Sequence, residues 1–215
     1  MKNKLLLTLF CSVLIVSAGI VMLKLHSPSP ENYWKIYDKN GKPVIIEQIM
    51  SGNLMENYAV FHKAFTELYA DHPKVMEQAL ENFKSLDEFL KFAFEEWERK
   101  NFEAKKPNNY FVRAAKEGKP IGYMSFEVKN NKAFIRNLAI DPACKGMGIG
   151  KELTAAVFKI RPDISKATLL VSRSNLPAIG FYKHLGFVEK IPDPMPEFFD
   201  SSTWMGMEMT QFDGI

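Results

Sequence analysis

A run rich in glycine and lysine, residues 145–151, holds the residues of this chain whose types and spacing are best suited to chemistry. It reads Lys-Gly-Met-Gly-Ile-Gly-Lys and lies between an apolar stretch at 135–140 and a helix-like segment at 152–160. Glycine is costly inside a regular element, so this composition at a strand-to-helix junction indicates a backbone that approaches a ligand closely. Backbone amides at the start of a helix, with two lysines beside them, favour a phosphate or another anion. A sharp turn that binds nothing is the alternative.

Two familiar phosphate-binding motifs do not fit this run. A P-loop requires glycine at the position of Lys145 and Ser or Thr after Lys151, where the chain has Glu152. A dinucleotide-binding fingerprint requires its third glycine where Lys151 stands. The run is therefore an anion-binding loop of another type, or a turn without a ligand.

The elements that must position the run can be predicted from hydrophobic periodicity and turn residues. Residues 33–37 and 44–49 flank an Asn-Gly turn and predict a hairpin. Capping-box sequences at 53–56 and 85–88 predict the starts of two helices. After residue 110 the predicted strands are 110–115, 121–128, 133–140, 167–172 and 204–210, and the predicted helices are 151–159 and 176–185. This order predicts a mixed sheet with helices on both faces.

A second motif, Asn-Leu-Pro-Ala-Ile-Gly-Phe-Tyr-Lys-His-Leu-Gly-Phe, occupies residues 175–187. Asn175 is suited to cap a helix that has Pro177 in its first turn and stops at Gly186. Together with the stretch Asn-Leu-Ala-Ile-Asp-Pro at 137–142 and the glycine run, this motif closely resembles the GNAT-type N-acetyltransferase superfamily. The resemblance covers residues 110–210 and is specific, because two separate motifs occur in the right order at the right spacing.

The resemblance implies a GNAT-like α/β (α+β) fold with a mixed, mostly antiparallel sheet. It also implies an enzyme that moves an acetyl group from acetyl-CoA to a primary amine, on a small molecule or a protein, by direct attack. In the family the loop reads Gln or Arg, two residues, Gly, one residue, Gly or Ala, and these positions are Lys145, Gly148 and Gly150 here. Lys145 departs from the family pattern, but a loop that binds through backbone amides tolerates the change.

The resemblance further implies which residues bind acetyl-CoA. The loop would hold the pyrophosphate, and residues 138–140, splayed from the neighbouring strand, would pair with the pantetheine amides as an added strand does. A bulge commonly causes this splay and would aim a backbone amide near Leu138 at the thioester carbonyl. The residues implied for cofactor binding are Leu138, Ala139, Ile140, Lys145, Gly146, Met147, Gly148, Ile149, Gly150, Lys151, Asn175 and Tyr182.

Two residues are candidates for acid and base catalysis. Tyr182 matches the family tyrosine that protonates the departing CoA thiolate, and a tyrosine packed beside Phe181 is the alternative. Many relatives take the general base from a carboxylate on the strand before the loop or from a chain of waters, but residues 134–140 contain no carboxylate. Glu127 on the preceding strand is the nearest candidate, with a solvated strand residue as its alternative. The missing carboxylate also motivates a contrary hypothesis, a non-catalytic acyl-CoA-binding module tethered to a membrane.

The acceptor amine is expected to bind among the early helices, residues 108–109 and the loop at 191–203. This loop, with Met195, Phe198, Phe199 and Trp204, is the better candidate for specificity, because an apolar loop near the end of a sheet can line a pocket. The aromatic residues at 83–97 have helical spacing, so core packing is their expected role. The identity of the amine does not follow from these residues.

Charge and histidine spacing argue against other partners. The net charge of +3 is small and spread along the chain, so no basic patch indicates nucleic acid as a partner. The four histidines are not spaced as metal ligands, and no metal site is expected. His184, two positions after Tyr182 on a predicted helix, is expected at the surface. The oligomeric state is left open.

The first thirty residues differ from the rest of the chain. Lys2 and Lys4 precede the uncharged apolar segment 5–23, and a Pro/Ser linker follows at 26–31. This segment is close to the roughly 20 residues that span a bilayer and longer than the roughly 7 to 15 of a signal-peptide core. Residues 1–25 are therefore predicted to be an N-terminal hydrophobic helix that anchors a GNAT-like domain at 32–215 to a membrane. Export after signal-peptide cleavage is the alternative, and lysines on both sides leave the orientation open.

Overall fold

The computed structural model describes residues 33–71, 76–77, 80–191 and 201–210. In chain order the elements are β1 (Tyr33–Tyr37), β2 (Pro43–Gln48), a 3-10 turn (Leu54–Asn57), α1 (Tyr58–Ala70), α2 (Leu86–Ala93), a π-helical turn (Phe94–Arg99), α3 (Lys100–Glu103), β3 (Asn109–Lys116), β4 (Lys119–Lys129), β5 (Lys132–Ile140), a 3-10 turn (Pro142–Cys144), α4 (Ile149–Ile160), β6 (Lys166–Ser172), α5 (Leu176–His184), β7 (Val188–Glu189) and β8 (Trp204–Met209). Each strand and helix predicted after residue 110 lies within two residues of its predicted bounds.

The strands form one mixed sheet of eight strands in the order β1-β2-β3-β4-β5-β6-β8-β7. β5 and β6 run parallel, and the pairs β2–β3, β3–β4, β4–β5, β6–β8 and β7–β8 run antiparallel. The predicted GNAT-like α/β (α+β) fold with a mixed, mostly antiparallel sheet is confirmed for the described residues. The two-residue strand β7 was not predicted, because it is too short to show a hydrophobic period.

Alternation along β4 divides the core between the two faces of the sheet. Tyr123 belongs to the apolar cluster that contains side chains of α1 and α2, whereas Met124 belongs to the cluster that contains side chains of α4 and α5. Successive side chains of a strand point to opposite faces, so helices cover both sides of the sheet, as predicted.

The two predicted helix starts are also found. The side-chain oxygen of Asn53 accepts a hydrogen bond from the amide of Met55 at the 3-10 turn that leads into α1. The hydroxyl of Ser85 accepts one from the amide of Glu88 at the start of α2. Each side chain satisfies an amide that has no partner inside the helix.

A bulge in β5 and its divergence from β6 shape the middle of the sheet. Ser125 pairs with Asn137 and Phe126 pairs with Ile135, so Arg136 is an extra residue in β5. The parallel pairing of β5 with β6 covers residues 132–135 of β5. The second half of β5 thus leaves its neighbour, which is the splay predicted for residues 138–140.

Several predictions concern residues that the structure does not describe. The predicted N-terminal helix at 1–25 and the linker at 26–31 lie outside the described residues, and so do Met195, Phe198 and Phe199 of the acceptor loop. Within the part of the chain that is described, no helix is both long and apolar enough to cross a bilayer. The membrane anchor and its alternative, export after cleavage, stay predictions.

Candidate functional site

A cavity of about 980 Å³ lies between the end of β5, the glycine run and the start of α5. Ten of the residues predicted to bind the cofactor line it: Leu138, Ile140, Lys145, Gly146, Gly148, Ile149, Gly150, Lys151, Asn175 and Tyr182. These residues come from a strand, a loop and two helices. The fold therefore collects the predicted site in one place.

Two residues predicted for cofactor binding do not line the cavity. Ala139 is fully buried in the cluster that contains α1 and α2, since its neighbours Leu138 and Ile140 face the other way along β5. Met147 packs against the opposite apolar cluster. If Ala139 and Met147 contact a ligand in this cavity, they would do so through backbone atoms.

The amino end of α4 is built to leave its first amides free. Gly146 and Gly148 both adopt left-handed backbone angles, with φ of +71° and +82°, which a glycine adopts without strain. Gly148 is the residue before the helix and has no side chain with which to cap it. The first amides of a helix have no partner within the helix, and the helix dipole makes this end attractive to anions. With Lys145 and Lys151 on the same cavity, the geometry fits a phosphate group.

The third glycine of the run serves a different purpose. A Cβ atom at Gly150 would lie 3.0 Å from the Cζ atom of Phe181, a tighter contact than most Cβ atoms make, so the ring of Phe181 would have to move. Glycine at this position therefore allows α4 to pack directly against α5. Phe181 in turn contacts Tyr182, with ring centres 5.1 Å apart. The glycine thus supports the wall of the cavity, rather than a turn.

Tyr182 is packed in the core and also lines the cavity. Its side chain lies between the rings of Phe181 and Phe187, and the residue is 9% exposed. Burial raises the pKa of Tyr182 above its ordinary value of 10.0, because the charged phenolate is poorly solvated there. The hydroxyl therefore stays protonated at neutral pH, as a proton donor requires. Both interpretations of this residue, a packed tyrosine and a site tyrosine, are compatible with its position.

The wall opposite the glycine run comes from α1, one of the early helices, where the acceptor amine was expected and no cofactor-binding residue was predicted. Its cavity-lining residues are Ala64, Phe65, Glu67 and Leu68, with Asp71 following the helix. Their spacing is that of a helix face, which the sequence alone assigns to the core. Lys63 of the same helix bonds Asp141 at 2.9 Å, next to the glycine run, and this bond holds the pKa of the Asp141 carboxyl below its ordinary value. The contact holds α1 beside the loop.

A carboxylate on this wall faces the loop. The Nζ atom of Lys145 lies 2.8 Å from Oε1 of Glu67, and both side chains are about half exposed. Glu67 therefore competes with any anion for the charge of Lys145. Helical spacing is the one feature of the sequence that bears on Glu67, and it does not predict a contact with Lys145.

Replacing Glu67 with glutamine is expected to strengthen CoA binding modestly. Exposed ion pairs contribute about 0.2–1 kcal/mol, which corresponds to a gain in affinity of about 1.5- to 5-fold. Titration calorimetry with CoA at low and high salt measures this gain, which should shrink as salt screens the charges. The control is Glu189→Gln, which removes the partner of Arg173 away from the cavity. Weaker CoA binding by Glu67→Gln would contradict competition.

The remaining candidate residues lie outside the cavity or at its edge. Glu127 is not among the cavity-lining residues; its side chain is 53% exposed, 3.9 Å from the Nη1 atom of Arg136. Its role as general base stays a prediction. His184 is exposed as predicted, but it also lines the cavity. Among the described residues, no group of three or more His, Cys, Asp or Glu side chains is placed to hold a metal ion.

Comparison with known proteins agrees with this geometry. The family model described as the acetyltransferase (GNAT) family matches residues 65–187, more than half of the chain. The chain belongs to this family. The match includes the second half of α1, the bulged strand β5, the glycine run and α5, so it contains every residue that lines the cavity except Ala64.

Two curated relatives of this GNAT protein are named peptidyl-lysine N-acetyltransferase YjaB. The protein from Salmonella typhimurium is 34% identical and the one from Escherichia coli 31% identical, each over 77 residues. The match covers 36% of this chain and 48% of each relative, so this chain matches about half the length of these proteins.

Solved structures of other acetyltransferases share the fold. The PaiA N-acetyltransferase from Thermoplasma acidophilum, in complex with coenzyme A, has a TM-score of 0.56 and 20% identity, and the match covers 77% of this chain and 99% of that one. An acetyltransferase from Thermus thermophilus has a TM-score of 0.51 and 12% identity, with 77% and 97% covered. At such low identity, these matches show the fold alone.

Proposed function

We propose that this GNAT protein is an N-acetyltransferase that moves the acetyl group of acetyl-CoA to a primary amine by direct attack. The observation that carries the proposal is the cavity that brings nine predicted cofactor-binding residues together with the tenth, the protonated and buried Tyr182. The names of the two curated relatives favour a lysine side chain of a protein or peptide as the amine.

The walls of the cavity fit the two ends of the cofactor. The free amides at the amino end of α4 suit the pyrophosphate, and Lys145 and Lys151 add positive charge there. The half of β5 that has left β6 offers backbone groups to the pantetheine amides, as an added strand would. Leu138 and Ile140 supply the apolar surface beside this arm.

The chain supplies groups for two parts of the proposed transfer, the charge on the carbonyl oxygen and the proton for the departing sulfur. Acetyl-CoA contributes a thioester, whose carbonyl carbon accepts the amine nitrogen while the bond from carbon to sulfur breaks. A backbone amide near the bulge of β5 would stabilise the negative charge that develops on the carbonyl oxygen. The Tyr182 hydroxyl would donate a proton to the departing sulfur, and the amine loses one proton to a base or to water.

Release of free thiol from acetyl-CoA across a panel of primary amines tests this function. The panel should include a lysine-bearing peptide, its N-acetylated lysine counterpart as the blocked control, and small polyamines. Turnover on the free lysine and not on the blocked one supports the proposal. CoA binding without turnover on any amine would favour the acyl-CoA-binding module.

Coenzyme A is expected to raise the melting temperature of the protein. A ligand at 100 times its dissociation constant stabilises the folded state by about 2.7 kcal/mol. For a chain of this size that corresponds to a shift of about 5–10 °C. Thermal unfolding with and without CoA measures the shift, and AMP serves as the control that lacks the pyrophosphate and the pantetheine arm. An unchanged melting temperature at saturating CoA would contradict the proposed site.

A further inference from the structure

A buried carboxylate lies beneath the bulge of β5, outside the cavity and outside the chemistry described above. Glu98 belongs to the π-helical turn that continues α2, and the residue is 1% exposed. A turn of this kind inserts one residue into a helix, and such insertions are frequent at functional sites. Burying a carboxylate is costly unless it is bonded or paired. The side chains that bond or pair with Glu98 therefore indicate its role.

Three side chains from β4 and β5 converge on Glu98. The hydroxyl of Tyr123 donates a hydrogen bond to Oε2 at 2.6 Å, and Nδ2 of Asn137 donates one to Oε1 at 2.9 Å. The Nε atom of Arg136 forms an ion pair with Oε1 at 3.4 Å. Burial and then the charge of Glu98 raise the pKa of Tyr123, so its hydroxyl remains a donor.

The two contacts from β5 involve consecutive residues, which is unusual for a strand. Side chains at successive positions of a regular strand point to opposite faces. Arg136 is the extra residue of the bulge, and the bulge lets both Arg136 and Asn137 reach the same carboxylate. Arg136 also donates to Asn109 of β3 and lies over the ring of Phe111. The bulge is thus held from one face by Glu98 and the side chains around it.

This arrangement fixes the part of β5 that the proposed reaction uses. The bulge begins the divergence of β5 from β6, and Leu138, which follows Asn137, lines the cavity. A displacement of about 1 Å in a reacting group lowers rates by about 100-fold. The orientation of the backbone at 137–138 therefore bears directly on the thioester.

From these contacts we infer that Glu98 is a positioning residue for acetyl transfer. By holding Asn137 and Arg136, it keeps the bulge in the form that points a backbone amide at the thioester carbonyl. The inference rests on the proposed function. Glu98 itself is buried and does not line the cavity, so its proposed role is exerted through Asn137 and Arg136.

The decisive measurement is the infrared carbonyl band of acetyl-CoA labelled with carbon-13 in its carbonyl group, bound to the protein without amine. An amide that donates to the carbonyl oxygen moves this band to lower frequency than in water, because it polarises the carbonyl more strongly. In Glu98→Gln the band is expected to return toward the free position, with CoA affinity within about three-fold of wild type. On an amine substrate, kcat is expected to fall about 10- to 100-fold while KM for acetyl-CoA changes little.

A matched control separates this effect from a general loss of charge on the same segment. Glu103→Gln removes an exposed glutamate of α3 that pairs with Arg99, and it should behave as wild type in both measurements. If Glu98→Gln alone fails to fold, the double variant Glu98→Gln with Arg136→Gln replaces it. The double variant removes both members of the buried ion pair, so no unpaired charge remains in the core. It should show the same return of the carbonyl band.

The outcomes separate the inference from the proposed function. A wild-type carbonyl band in a folded Glu98 variant overturns the inference, whatever the turnover of that variant. If the wild-type protein binds acetyl-CoA but acetylates no amine, the proposed function fails, and the band still decides whether Glu98 holds the bulge. If the wild-type protein does not bind acetyl-CoA, both are overturned.

Discussion

Replacement of Tyr182 with phenylalanine is expected to lower kcat about 100- to 10,000-fold, the usual contribution of a positioned general acid. The substitution keeps the ring, which packs against Phe181 and Phe187, and removes the hydroxyl alone. CoA affinity should therefore stay within about three-fold of wild type, and the loss should appear in kcat rather than in KM. Steady-state kinetics with the amine identified by the panel, together with CoA titration, measure both quantities.

The matched control for this substitution is Tyr110→Phe. Tyr110 accepts a hydrogen bond from Arg161 and does not line the cavity, so its hydroxyl should not affect kcat. Equal kcat values for Tyr182→Phe and the wild type would exclude the acid role.

The buried hydroxyl of Tyr182 also predicts how activity and stability depend on pH. Because burial raises the pKa of Tyr182 above 10.0, the donor form persists in the folded protein through that pH, and this group should cause no loss of activity below it. The contribution of its neutral form to the stability of the folded state is fully present below about pH 10. That stability declines above about pH 10, where the unfolded chain ionises first.

Local patterns in the sequence predicted the parts of the site that lie close together in the chain. The glycine run and the helix from Asn175 carry their own turn and cap residues, so their positions followed from residue type and order. The order of strands and helices after residue 110 was predicted for the same reason. The family resemblance then linked these pieces into one site, which the cavity brings together.

Other parts of the site depend on contacts between distant residues, and no local pattern reveals those. Glu67 and Lys145 are separated by 78 positions, and the face of α1 that bears Glu67 has the same spacing as any helix packed on a core. Glu98 meets Asn137 across 39 positions through a π-helical turn that arises inside a helix of ordinary sequence. Glu127 was chosen for its nearness along the sheet, but the side chain lies in solvent.

Replacement of Gly148 with alanine is expected to weaken CoA binding about 5- to 30-fold. The residue has a φ of +82°, and a side chain in this left-handed region costs about 1–2 kcal/mol. A free loop can relax into another conformation, but ligand binding through the first amides of α4 must restore the original one. The strain then appears as lost affinity of the same size, about 1–2 kcal/mol. Titration calorimetry with CoA measures it.

Gly118 provides a control with nearly the same backbone and no ligand. It has a φ of +75° in the turn between β3 and β4, and, like Gly148, it has no atom within 4 Å of an added Cβ. Steric clash therefore contributes to neither substitution, and both introduce strain of similar size. Gly118→Ala should lower the free energy of unfolding by about 1–2 kcal/mol and leave CoA affinity unchanged. Equal affinities in the two variants would mean that the amides after Gly148 do not hold the cofactor, because strain at this position would then have no effect on binding.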